Sequence, residues 1–208
     1  MFFFFNASNQ AGSPSTSVDW SEYDGEDDGE FTSIMDASTF ENRGHTAVGV
    51  NEDKAFIVFT DDASGGTLHY FNVSRSGTSL TPSSLVNSSN ATSAQFPTAA
   101  YLGNDRVIVC ATQTTQTVAE LLDVSGTAPS SLDSDTGNLL ANNDTLYGET
   151  RRISDTKAVY VYPSGSNTLR ASIIDTTGDT VTIGTSANLG SFTDSLSYCA
   201  VLDETYSL

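Results

Sequence analysis

An all-β fold is what this sequence predicts, and three observations predict it. Short runs rich in Val, Ile, Thr, Tyr and Phe are punctuated by Gly, Asn, Asp and Ser, the residues of turns. No segment shows helical periodicity with helix caps. One short pattern, a hydrophobic residue, a three-residue acidic or polar turn and then Lys, Arg or Tyr, returns four times. Its copies are Val50-Asn51-Glu52-Asp53-Lys54, Leu102-Gly103-Asn104-Asp105-Arg106, Ile153-Ser154-Asp155-Thr156-Lys157 and Leu202-Asp203-Glu204-Thr205-Tyr206, spaced by 52, 51 and 49 residues. A period in that range marks a repeat architecture.

Each repeat carries four strands. The first precedes the pattern, at 46–50, 98–102 and 198–202. The second follows it and is the clearest: Ala55-Phe56-Ile57-Val58-Phe59, Val107-Ile108-Val109-Cys110-Ala111 and Ala158-Val159-Tyr160-Val161-Tyr162. Strict alternation would leave one face in water; a continuous apolar run needs cover on both faces. With no helices to supply it, sheets must stack on sheets. The third strands, at 68–73, 118–124 and 169–175, each end at a glycine, Gly77, Gly126 and Gly178, in steps of 49 and 52 residues. Glycine there permits the positive φ of a tight hairpin. A weaker fourth strand is best seen in Thr180-Val181-Thr182-Ile183.

Four strands per unit of about fifty residues is the signature of a β-propeller blade. The N-terminal residues fit the same frame. Residues 1–5 superpose on 55–59 at an offset of 54, loop 6–17 matches 61–66 with an insertion, Val18-Asp19-Trp20 falls near a third strand and 31–35 near a fourth. The chain thus starts at a second strand and ends, at 202–208, with a first. Pairing the two within one blade would close the ring and remove exposed sheet edges. The expectation is a single four-bladed propeller domain over 1–208, with blades at 1–44 plus 197–208, 45–96, 97–146 and 147–196. A fragment of a larger ring and a β-sandwich are the alternatives.

Composition bounds the function. With 208 residues, 38% hydrophobic and 10% aromatic, the chain is long enough for one domain that buries about 70% of its unfolded surface. Acidic residues outnumber basic ones 26 to 8, a net charge of −18, which repels nucleic acid and anionic membrane surfaces. Such a surface resists aggregation, or serves salty surroundings or calcium. No CxxC or Cys/His cluster suggests zinc; Cys110 and Cys199 read as two buried free thiols, with a disulfide as the alternative. The run Met1-Phe2-Phe3-Phe4-Phe5 lacks the basic region and length of a secretion signal. No apolar stretch is long enough for a membrane helix.

Chemistry is sparse. His45 precedes a first strand and His69 lies within a third, not neighbours in the repeat frame; each reads as a strand histidine with a local hydrogen bond. No G-x-S-x-G elbow, phosphate loop or G-x-G-x-x-G is present. Asp133-Ser134-Asp135-Thr136-Gly137-Asn138 looks like the opening of a calcium loop, with Asp133 and Asp135 as ligands and Gly137 at the bend, although the third acidic ligand and the distal Glu are absent. An Asp-rich turn is the other reading. The run 22–30 holds six acidic residues and reads as a solvated hairpin loop, or as a dock for cations or a basic partner. The N-x-[ST] triplets at Asn6, Asn72, Asn87, Asn90 and Asn143 arise by chance in a Ser/Thr-rich chain. The longer connections 86–96, 133–146 and 188–196, with the second-to-third loops, would share one face of the ring, the place where binding is expected.

The stretch Ile153-Ser154-Asp155-Thr156-Lys157-Ala158-Val159-Tyr160-Val161-Tyr162, running into 169–175 and 180–185, resembles a propeller repeat common in large surface and tail proteins of bacteriophages and marine bacteria; the resemblance covers 46–208. It implies an extracellular or virion-borne component used for assembly or adhesion, with structural proteins or glycans as partners and no catalytic motif. The signatures of WD, kelch and sialidase-type propellers are not present. The expected function is therefore a non-enzymatic structural or binding module without a cofactor other than calcium. The alternative is a propeller hydrolase or lyase acting on polysaccharide.

Overall fold

Hairpin follows hairpin along the chain. The computed structural model describes residues 42–61, 66–91, 94–113, 116–139, 148–164 and 168–191. Its strands pair with sequence neighbours into three antiparallel sheets. Sheet one holds β1 (Asn42–Asn51), β2 (Lys54–Asp61), β3 (Thr67–Ser76) and β4 (Ser79–Pro82), with β5 (Val86–Asn87) also on β3. Sheet two is β6 (Ala94–Gly103), β7 (Arg106–Gln113), β8 (Gln116–Asp123) and β9 (Ser130–Leu139). Sheet three is β10 (Glu149–Ser154), β11 (Lys157–Ser164), β12 (Thr168–Asp175) and β13 (Thr182–Ile183), with β14 (Ala187–Ser191) also on β12. The one helical turn among the described residues is a 3-10 turn at Thr177–Asp179.

The recurring sequence pattern is a recurring set of hydrogen bonds. Each first-to-second hairpin closes on the pattern, at Asn51↔Lys54, Gly103↔Arg106 and Ser154↔Lys157, just after a one-residue register shift. In all three, the turn carbonyl accepts an N–H from the end of the third strand: Arg75 N to Asp53 O, Val124 N to Asp105 O and Thr176 N to Thr156 O, each 2.8 Å. The outer two turns are clamped by their first residue, Asn51 Oδ1 taking Asp53 N–H at 2.9 Å and Ser154 Oγ taking Thr156 N–H at 3.3 Å. The middle turn opens on glycine, which has no such side chain. Asn104 and Asp105 there adopt φ of 50° and 57°, the double left-handed geometry of a type I′ hairpin that Asn and Asp tolerate best.

Sheet two lies between two cores. Successive strand residues point to opposite faces. Val107, Val109, Ala111, Val118 and Leu122 pack with Phe56, Val58, Leu68 and Tyr70 of sheet one. Ile108, Cys110, Ala119 and Leu121 pack with Ala158, Tyr160, Tyr162 and Ile174 of sheet three. Both faces of β7 are thus dry, which is why its apolar run is unbroken. The first strands adjoin: β6 packs against both β1 and β10, Thr46 Oγ1 donates to Pro97 O at 2.9 Å, and the Thr98 and Thr150 hydroxyls meet at 2.6 Å.

Several expectations are corrected. The first strands begin earlier than the apolar runs suggest, at Asn42 and Ala94, because a bulge in each lets pairing resume beyond the run. His45 therefore lies inside β1. Gly44 makes this possible: its φ is 118°, and an added Cβ would sit 2.9 Å from the Phe96 backbone. Gly77 and Gly178 have positive φ, but Gly126 does not; the wider excursion 124–129 joins β8 to β9 without a left-handed residue. The fourth strand is split in sheets one and three and continuous in sheet two. Parts of the three connections expected to be irregular, at 86–87, 133–139 and 188–191, are in fact strand. These edge strands are Ser/Asp/Asn-rich and little buried, so they lack the apolar signal by which strands are read. The stretches 1–35 and 192–208, with Cys199, fall outside the described residues, as does Asn143.

Burial separates the apolar positions by consequence. Ile108→Ala, at 0% exposure, should cost about 2–5 kcal/mol in urea unfolding. Leu80→Ala, at 64% exposure, should cost less than about 0.5 kcal/mol. Comparable losses would contradict the two-core arrangement.

Candidate functional site

Asp133 and Asp135 do not sit in a loop. They lie two apart on β9, hence on one face. Asp133 Oδ2 accepts the Val181 N–H at 2.7 Å and Asp135 Oδ2 accepts the Ile183 N–H at 2.9 Å. The pair stitches the edge of sheet two to sheet three. Gly137 makes no sharp bend: it pairs with Thr117 in the ladder, and an added Cβ would stand 3.0 Å from the Ile183 side chain. Its smallness serves close packing between sheets. Among the described residues, no three His, Cys, Asp or Glu side chains gather closely enough to hold a metal ion.

The two histidines come closer than the repeat frame suggests. His45 pairs with Phe59, Phe59 with His69 and His69 with Asn87, a single row across four strands of sheet one. The His69 ring stacks on Phe59 at 5.2 Å, and its Nδ1 lies 2.8 Å from Asn87 Oδ1. His69 is buried and His45 exposed.

The polar centre that the sequence reading missed is Glu120. It sits on β8 amid Val118, Ala119, Leu121 and Leu122, is 1% exposed, and is the one buried acid among the described residues. Its Oε1 accepts from Tyr70 OH at 3.3 Å and its Oε2 from Ser88 Oγ at 2.7 Å. Both donors belong to the sheet-one side. Ser88 Oγ in turn accepts the Asn90 and Ala91 N–H groups at 3.2 and 3.1 Å, while Ser88 N–H donates to Leu68 O at 2.8 Å. The carboxylate thereby fixes the segment leading from sheet one to sheet two. Burial, reinforced by the neighbouring carboxylate, pushes the Tyr70 hydroxyl well above its ordinary pKa, so it stays a donor. With both carboxylate oxygens engaged by hydroxyls in a dry interior, the arrangement positions chain and has no free base or nucleophile to offer. The signal was present: a charge inside a run whose two faces must both be covered has to be buried and partnered.

The ends of the sheets differ in character. At the end carrying the first-to-second turns, cations cross from one sheet to the next. Lys54 Nζ donates to Val124, Ser125 and Gly126 carbonyls at 2.9, 3.1 and 3.2 Å. Arg106, at the same place in sheet two, reaches both Asp179 oxygens at 3.0 and 3.1 Å and Asp123 of its own sheet at 3.0 Å. The guanidinium holds the Asp179 carboxyl below the usual carboxylate range. The opposite end carries Gln113 with Gln116 at 3.2 Å, the run Asn87-Ser88-Ser89-Asn90 and the Glu149–Arg151 pair at 2.6 Å, which stays within sheet three. The tips of its second-to-third loops, 62–65, 114–115 and 165–167, lie outside the described residues.

No protein-family model matches the chain, and no curated protein matches it.

Glu120→Ala removes the shared acceptor and leaves the Tyr70 and Ser88 hydroxyls buried without it, so the loss of stability should be about 3 kcal/mol. A double-mutant cycle with Tyr70→Phe should return a coupling of about 0.5–3 kcal/mol; additive losses would mean that the contact is not made. Burial pushes the Cys110 thiol up to about 12, which keeps it protonated throughout the neutral range. Iodoacetamide at about pH 8 should therefore leave Cys110 unlabelled in the folded chain and label it in urea, as read by peptide mass spectrometry.

Proposed function

We propose that the three sheets are consecutive blades of a four-bladed β-propeller, closed by strands from both termini, that serves as a structural and binding module of a virion or cell surface. The observation that carries this reading is the repeated cross-sheet contact. Lys54 of sheet one grips the turn after β8, and Arg106 of sheet two grips the turn after β12. The same relation applied at each step, with first strands β1, β6 and β10 side by side, is how blades succeed one another about an axis. The resemblance to phage and surface-protein repeats supports the setting, and the net charge of −18 supports a protein or glycan partner over nucleic acid or membrane.

The end with the first-to-second turns is occupied by its own cross-sheet contacts, so contacts with a partner fall to the opposite end, on a rigid support. Asn90→Lys and Gln116→Lys should weaken binding to the native particle or to arrayed glycans at least tenfold and leave the melting temperature within about 2 °C. Glu52→Lys, at the end with the first-to-second turns, should leave binding unchanged. Loss of binding from Glu52→Lys alone would overturn the assignment of the face, and release of sugar from a polysaccharide substrate would overturn the non-enzymatic reading.

A further inference from the structure

We infer that the turn 124–127 is a monovalent-cation site whose resident cation is the Lys54 ammonium. The inference is independent of ring closure. Three successive carbonyls, of Val124, Ser125 and Gly126, converge on Lys54 Nζ at 2.9, 3.1 and 3.2 Å, one for each N–H of an ammonium. Consecutive carbonyls normally diverge; here they form a cradle that turns its negative ends toward sheet one. The wall of the cradle is Asn72, 1% exposed. Its Nδ2 donates to Val124, Gly126 and Thr127 carbonyls at 3.4, 3.1 and 3.2 Å. Its Oδ1 is buried and has no hydrogen-bond partner among the described residues, an orphaned acceptor beside a ring of acceptors.

Oxygen distances of 2.9–3.2 Å are too long for calcium, which takes oxygens at about 2.3–2.6 Å, or magnesium, at about 2.0–2.1 Å. They suit ammonium or potassium, for which carbonyl oxygens replace the hydration shell. In a chain of net charge −18, which concentrates cations around itself, tethering the cation on Lys54 makes the joint between sheets independent of the surrounding salt.

Lys54→Met keeps the apolar stem and removes the ammonium. Its melting temperature in choline chloride should fall about 3 to 6 °C below that of the unaltered chain. Ammonium or potassium chloride at the same ionic strength should restore at least half of that loss, while moving the unaltered chain no more than choline does. Equal melting of the variant in choline and ammonium overturns the inference, as does an equal gain in the unaltered chain. If the variant does not fold, the unaltered chain decides. Ammonium protons held by three carbonyls should exchange slowly enough to give a nitrogen-correlated proton signal for Lys54 near neutral pH, and absence of that signal overturns the cradle.

Discussion

A strand buried on both faces loses the usual means of choosing its register, and that constraint governs the structure. In a half-buried strand, a slip of one residue throws the apolar set into water, so the hydrophobic effect itself selects the pairing. In β7 the set Val107, Val109 and Ala111 would merely change places with Ile108 and Cys110. Burial stabilises either arrangement, at about 25 cal/mol per Å² of apolar surface whichever face it lies on. What distinguishes them must be directional.

The directional contacts are where the chain spends its few polar residues. A slip of β8 would move Glu120 from Tyr70 and Ser88 into the apolar space beside Tyr160 and Ile174, leaving a carboxylate with no donor, at a cost of several kcal/mol. The hairpin turns set the same registers locally through fixed hydrogen bonds. The exposed ion pairs do less. Arg106 and Asp179 are 25% and 52% exposed, and water screens such a pair so that it contributes little. Apolar area thus supplies the stability, and the buried carboxylate supplies the choice among arrangements of similar area.

This division of labour explains what could be read in advance. The second strands were legible because five apolar residues in a row have few alternatives, and the turn pattern because Asn51, Gly103 and Ser154 hold equivalent places. The third strands were legible because each follows a polar turn at the same place in the repeat and runs to a glycine, Gly77, Gly126 or Gly178. The edge strand β9 was not, since Ser130, Ser131, Asp133, Ser134 and Asp135 have the composition of a loop and are strand only because β8 offers them a ladder. The calcium-like spacing of Asp133 and Asp135 was a by-product of period two: alternate side chains share a face whether they hold an ion or the backbone of a neighbouring sheet. Glu120 was passed over because its meaning depends on a partner fifty residues away, Tyr70, which no local pattern contains. The cross-sheet role of Lys54 and Arg106 was half visible, as a recurring basic position whose target only the stacking of sheets discloses.

The two cation contacts run in one direction. Lys54 reaches from sheet one to sheet two and Arg106 from sheet two to sheet three, and each lands on the turn behind a third strand. A unit that carries the donor on one side and the acceptor on the other is compatible with its own copy. Tandem duplication of the encoding segment would then yield neighbours that already fit, with no new interface to evolve. The two joints meet that requirement with different chemistry, one seating a lysine on backbone carbonyls and the other an arginine on an aspartate, at the same place in the frame.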